Sequence, residues 1–130
     1  IECYTPVDNV SELTARTNDE GFKTIFSNYL INSNLSNKDA IFIFSVGGGN
    51  LKYNISTNLI EAIKVAKKKR SKIFSIVGRD DGYAYKKSDV SIITKVKDSK
   101  FLTPISEGLQ AIIWHCLVSD ERLQDNKTKW

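Results

Sequence analysis

The chain has 130 residues, enough for one domain with a modest core. Apolar residues make up 41% and charged residues 26%, a globular balance that excludes a disordered or repetitive composition. The net charge is +4. No apolar run approaches the ~20 residues of a bilayer-spanning helix and no leader is visible, so a cytoplasmic protein without a membrane partner is expected.

In chain order, Ile1–Tyr4 reads as a short β-like run ended by Thr5-Pro6. Asp8 or Asn9 can cap a short helix through VSELTAR, and TNDEGF reads as a polar turn around Gly21. Residues 22–32 place Phe22, Ile25, Phe26, Tyr29 and Leu30 at helical spacing, and a polar loop follows. AIFIFSV is a continuous apolar run of the kind that forms a parallel strand buried on both faces. GGGN comes next, then an amphipathic helix over residues 54–68. That helix ends in AKKKRSK, which reads as a solvated helix C-terminus where cations suit the dipole. With no interleaved aromatics or known motif there, a nucleic-acid partner is not expected. KIFSIVG is a second buried strand, YAYKKSD a short helix and VSIIT a third strand. A loop with Pro104 leads into a long helix at about 105–124, placed by its helical periodicity. Cys3 and Cys116 follow no metal spacing and read as reduced, buried thiols.

Strands alternating with helices predict an α/β layer fold on a parallel sheet, which binds ligands at the carboxyl ends of its strands. GGGN and RDDG both fall there. A strand, a glycine turn and a helix N-terminus form an anion-binding layout, because bare amides and the helix dipole point at one place. Ser45, Asn50, Asn54, Ser56 and Thr57 add hydroxyl and amide groups. The loop matches no nucleotide-binding fingerprint. A phosphate or phospho-sugar is the ligand class expected, and a tight turn that needs positive φ is the alternative. Arg79, Asp80 and Asp81 read as a turn with Gly82 at a special backbone position. His115, the single histidine, lies in an apolar helical stretch and fits either a core residue or an acid/base group. Glu107 stands eight residues before it, about 12 Å along the axis, with Gln110 between.

Four stretches in order, ELTARTNDEGF, FSVGGGN with NISTNLIEAI, SIVGRDDGY and PISEGLQAIIWHCLVSD, resemble the sugar isomerase (SIS) domain family, in its phosphoheptose isomerase branch. The resemblance runs from about Tyr4 to Asp120 as a single domain. It implies a flavodoxin-like three-layer sandwich, a homotetramer, and aldose–ketose isomerisation of sedoheptulose 7-phosphate by general acid/base transfer. On that resemblance Asn18 and Asp19 match a substrate-binding pair. Ser45, Gly47, Gly48, Gly49, Asn50 and Ser56 match the phosphate loop, with glycines where the family carries a run of serines and threonines. Glu107 and His115 match a glutamine and a histidine near a metal, so the resemblance implies both catalytic roles and Zn2+ ligation. The family's first-strand glycine-serine loop, and the helix with its histidine and glutamate, have no counterpart here. The sequence also contains no methionine. The chain is therefore expected to be the C-terminal two-thirds of a domain, inactive alone. A non-catalytic phospho-sugar sensor is the alternative.

Overall fold

A computed structural model describes residues 2–126. Within it lie α1 (Val10–Glu20), α2 (Ile25–Asn32), β1 (Ala40–Ser45), α3 (Thr57–Lys69), β2 (Lys72–Val77), α4 (Tyr83–Lys87), β3 (Val90–Ile93) and α5 (Leu102–Ser119). Short 3-10 turns precede α2 and α5 and follow α5. The three strands form a parallel sheet in the order β1-β2-β3, with Ala40 opposite Lys72 and Phe74 opposite Val90. This is the α/β architecture that the alternating pattern predicts.

Several boundaries differ from the sequence reading. Residues 2–4 form no strand, and Ile1 lies outside the described residues. Asn9 does cap α1, its Oδ1 accepting from the Glu12 N–H at 3.2 Å. The helix then continues through the expected turn and stops at Gly21. Arg16 supports the extension by pairing with Glu12 at 2.8 Å and Glu20 at 3.7 Å, one helical turn away on each side. The helix after the glycines starts at Thr57 instead of residue 54. α5 begins three residues earlier than expected because Pro104 falls in its first turn, where no N–H is needed.

One face of the sheet carries the core. Ile41 and Ile43 of β1 and Ile73 and Val77 of β2 are buried beneath Ile63 and Ala66 of α3 and Ala84 of α4. The other face is open over most of its length, although Ile76, opposite Phe44, is fully buried near the end that α5 anchors. Phe42 is 43% exposed, Phe44 44% and Phe74 37%, with Val90 and Ile92 exposed beside them. The three rings cluster, Phe42 and Phe74 edge to face at 6.4 Å. The expected burial of β1 on both faces is therefore corrected: its residues alternate between buried and exposed, because the covering helices α3 and α4 pack on one face.

α5 is tied to the carboxyl end of the sheet by polar side chains. The Thr94 hydroxyl donates to Ser106 Oγ at 2.9 Å, and Gln110 Nε2 donates to the Ile76 carbonyl at 3.1 Å. Beyond those anchors Ile112, Trp114 and Val118 are exposed. Ser99–Ser119 is a helical segment long and apolar enough, by length and composition alone, to cross a membrane, although its apolar residues form no uninterrupted run. Both cysteines are exposed, which corrects the buried-thiol reading. Cys116 lies on the outward half of α5, and Cys3 in the irregular segment before α1.

Candidate functional site

The carboxyl ends of β1 and β2 open onto the glycine loop. Ser45 closes β1, and its Oγ accepts the Gly48 N–H at 3.0 Å, which leaves its own hydroxyl proton free to donate. Gly48 and Gly49 have φ of +68° and +81°, a region that side chains rarely tolerate. Their carbonyls turn away from the sheet edge and accept from Ala84 and Tyr83 N–H, both at 2.8 Å, so they hold the start of α4.

Gly82 explains the rest of the glycine cost. Its φ is −68°, which corrects the reading of a special backbone conformation. A Cβ there would run into the Gly47 carbonyl oxygen and the Gly48 Cα. The two loops touch backbone to backbone, and glycine is required for closeness at Gly82 and for positive φ at Gly48 and Gly49.

Gly47 answers to neither demand. A Cβ on it would meet nothing within 4 Å, and its φ is not positive. Its N–H and that of Gly49 donate to no acceptor among the described residues. Asn50 and Ile55 then pair as an antiparallel bridge, with N–H to carbonyl distances of 2.9 and 3.0 Å. This small hairpin separates the glycines from α3, where the sequence reading ran them together.

Ser56 ends the hairpin in a left-handed backbone conformation, and its side chain caps no N–H of α3. The Thr57 and Asn58 N–H groups, at the positive end of the helix dipole, likewise donate to no acceptor among the described residues. The Ser45 and Ser56 hydroxyls and four amides thus belong to one loop-and-helix start. Asn58 is the residue that sequence reasoning missed. It is buried, and its Oδ1 accepts the Leu59 N–H at 2.9 Å. An Asn beside a helix start was the available signal.

The other expected site residues lie apart from this loop. Asn18 and Asp19 sit in the last turn of α1, Asn18 Nδ2 donating to Asp19 Oδ1 at 3.3 Å, and no hydrogen bond joins them to the glycines. Glu107 and His115 are both exposed on α5, and the imidazole stacks on Trp114 at 3.9 Å. Within the described residues His115 is therefore not a core residue. Gln110 points at the Ile76 carbonyl and joins neither of them. Arg79 pairs with Asp81 at 3.3 Å on the surface, as a turn would.

Zinc needs three or four His, Cys, Asp or Glu donors at ~2 Å. No group of three such residues exists among the described residues. Glu107 and His115 alone do not fit the ion, so no chemical step is assigned to it.

No protein-family model matches the chain. It is 30% identical over 110 residues to a lincomycin biosynthesis protein of Streptomyces lincolnensis, covering 85% of this chain and 40% of that one. It is 34% identical over 87 residues to the phosphoheptose isomerase of Buchnera aphidicola, covering 67% of this chain and 41% of that one. The solved phosphoheptose isomerase of Neisseria gonorrhoeae superposes with a TM-score of 0.68 at 24% identity, over 90% of this chain and 61% of that one. The chain thus spans well under half the length of these curated relatives.

Proposed function

We propose that this chain, which has the phosphoheptose-isomerase-like SIS fold over its matched part, carries the sugar-phosphate-binding portion of an aldose–ketose isomerase acting on sedoheptulose 7-phosphate. The observation that carries the reading is the set of four N–H groups without acceptors, at Gly47, Gly49, Thr57 and Asn58, beside the Ser45 and Ser56 hydroxyls. Backbone amides at a helix N-terminus take the place of a hydroxyl-rich loop as phosphate donors. Holding the phosphate end fixes the reacting carbons by binding energy remote from the chemistry.

The isomerisation removes a proton from the carbon beside the carbonyl and returns one to the neighbouring carbon through an enediol. A positioned acid/base group moves it. Glu107 and His115 are the candidates here, with Asn18 and Asp19 as sugar-hydroxyl partners. Because Glu107 and His115 stand exposed on an outward helix, the remaining catalytic groups would come from outside residues 1–130 or from further copies. A C-terminal two-thirds domain, a homotetramer and a soluble cytoplasmic enzyme, completed by a zinc ion held partly by groups beyond this chain, belong to the same proposal.

Gly47→Asp separates binding from folding. There is room for the side chain, and it would bring a negative charge to the loop. The complete protein carrying it should keep its melting temperature and lose tenfold or more in affinity for the sugar phosphate. Unchanged affinity would sink the reading. The glycines in place of hydroxyls favour a second reading, a binding domain without chemistry. Phosphate-dependent stabilisation with no isomer exchange by NMR would select it.

A further inference from the structure

A second, cationic locus lies where the C-terminal half of α3 faces α4, on the far side of Tyr83 from its N–H bond to the Gly49 carbonyl. A groove of about 520 Å³ runs between them, lined by Lys64, Lys67, Tyr83, Lys86, Lys87 and Ser88. That volume is in the range of small-molecule clefts.

The charge there is out of balance. Residues 60–89 hold nine basic and four acidic residues, which leaves ten basic against eleven acidic in the rest of the chain. Lysines in a last helical turn suit the dipole, and each helix alone needs no other explanation. Two such ends converging on one groove repel each other. Among the described residues two carboxylates pair with its lysines. Glu61 is engaged with Lys64 at 2.8 Å and Lys23 at 3.8 Å. Asp89 is engaged with Lys67 at 3.9 Å and Lys72 at 3.8 Å, and also accepts the Ile73 N–H at 2.8 Å. Lys86 and Lys87 have no carboxylate within 4 Å among the described residues, and Lys87 lies 6.0 Å over the Tyr83 ring.

The groove has no arginine, so it lacks the planar fork that reads carboxylates and bases in pairs. Several lysine point charges and one hydroxyl suit adjacent phosphates. We propose that the α3–α4 groove binds a ligand with two or more contiguous phosphates, through Lys64, Lys67, Lys86 and Lys87. Its source is either a nucleoside triphosphate or inorganic polyphosphate. Tyr83 is the ring that lines the groove, half-buried against the core and with Lys87 Nζ over its face.

The test titrates the 15N-labelled chain with tripolyphosphate, with ATP and with a short oligouridylate at 0.15 M salt. Saturable shifts of the 83–88 amides with tripolyphosphate are expected, and tenfold weaker binding in Lys86→Glu/Lys87→Glu. Equal affinity for ATP assigns the phosphates alone, and tighter ATP binding assigns the nucleoside triphosphate. No saturable shift, shifts confined to residues 47–58, binding unchanged in the double variant, or binding of the oligouridylate alone would each overturn the proposal. Should the double variant not fold, the same amide shifts in the parent chain still decide.

Discussion

The two faces of the sheet are made from similar strands and meet different surroundings. On the covered face the inward residues are mostly branched, Ile41, Ile43, Ile73 and Val77, and lie under α3 and α4. On the open face Phe42, Phe44 and Phe74 gather as rings with more than a third of their surface in solvent. So large a cluster of exposed apolar side chains is uncommon on the surface of a monomer. Both faces carry large apolar residues, and it is the covered face that also holds Ser75 and Ser91, so the difference comes from which helices the chain supplies.

Mutations that probe the contrast should separate the faces by energy. Ile63→Ala leaves a cavity under a fully buried side chain and should cost about 3 kcal/mol, read by urea denaturation. Phe74→Ala removes a ring that is 37% exposed and should cost the isolated chain less, about 1–2 kcal/mol. If the two costs were equal, the open face would be packed in solution. Gly82→Ala forces the Gly47 and Gly82 loops apart and should cost about 2 kcal/mol, with the 47–49 amides shifting by NMR. Gln110→Ala strands the Ile76 carbonyl and should cost about 1 kcal/mol, loosening α5 more than the covered face. Hydrogen exchange across α5 would show it.

The smallest effect is electrostatic. The Asp89 carboxyl is held below its ordinary range, first by the Ile73 N–H and then by Lys67 and Lys72, against a desolvation that pushes the other way. A lowered folded pKa gives stability that is present above the ordinary carboxylate value and is lost as pH falls through the folded one. The stability gap between the parent chain and Asp89→Asn should therefore shrink as pH falls below about 4. A gap constant over that range would contradict the assignment.

The element order was legible because period and punctuation agree: apolar strand runs, a Pro near a helix start, a cap at Asn9. Which face of β1 is covered was not legible, since Ile and Phe alternate with no polar residue to mark the outside. The glycines were legible as a loop, while their separate reasons were not. Gly82 is needed only because a residue 35 positions earlier comes close, and such contacts leave no local trace. The hairpin at Asn50–Ile55 was hidden because NISTNL reads equally well as the first turn of a helix. The exposure of His115 was hidden by its apolar neighbours, which are themselves exposed.

The central claim is that the glycine loop and the start of α3 hold a sugar phosphate. The most direct measurement is an amide NMR titration of the chain with sedoheptulose 7-phosphate. Saturable shifts at Gly47, Gly49, Thr57 and Asn58, absent in Gly47→Asp, are the expected result. Shifts that avoid those four amides, or none at all, would contradict it.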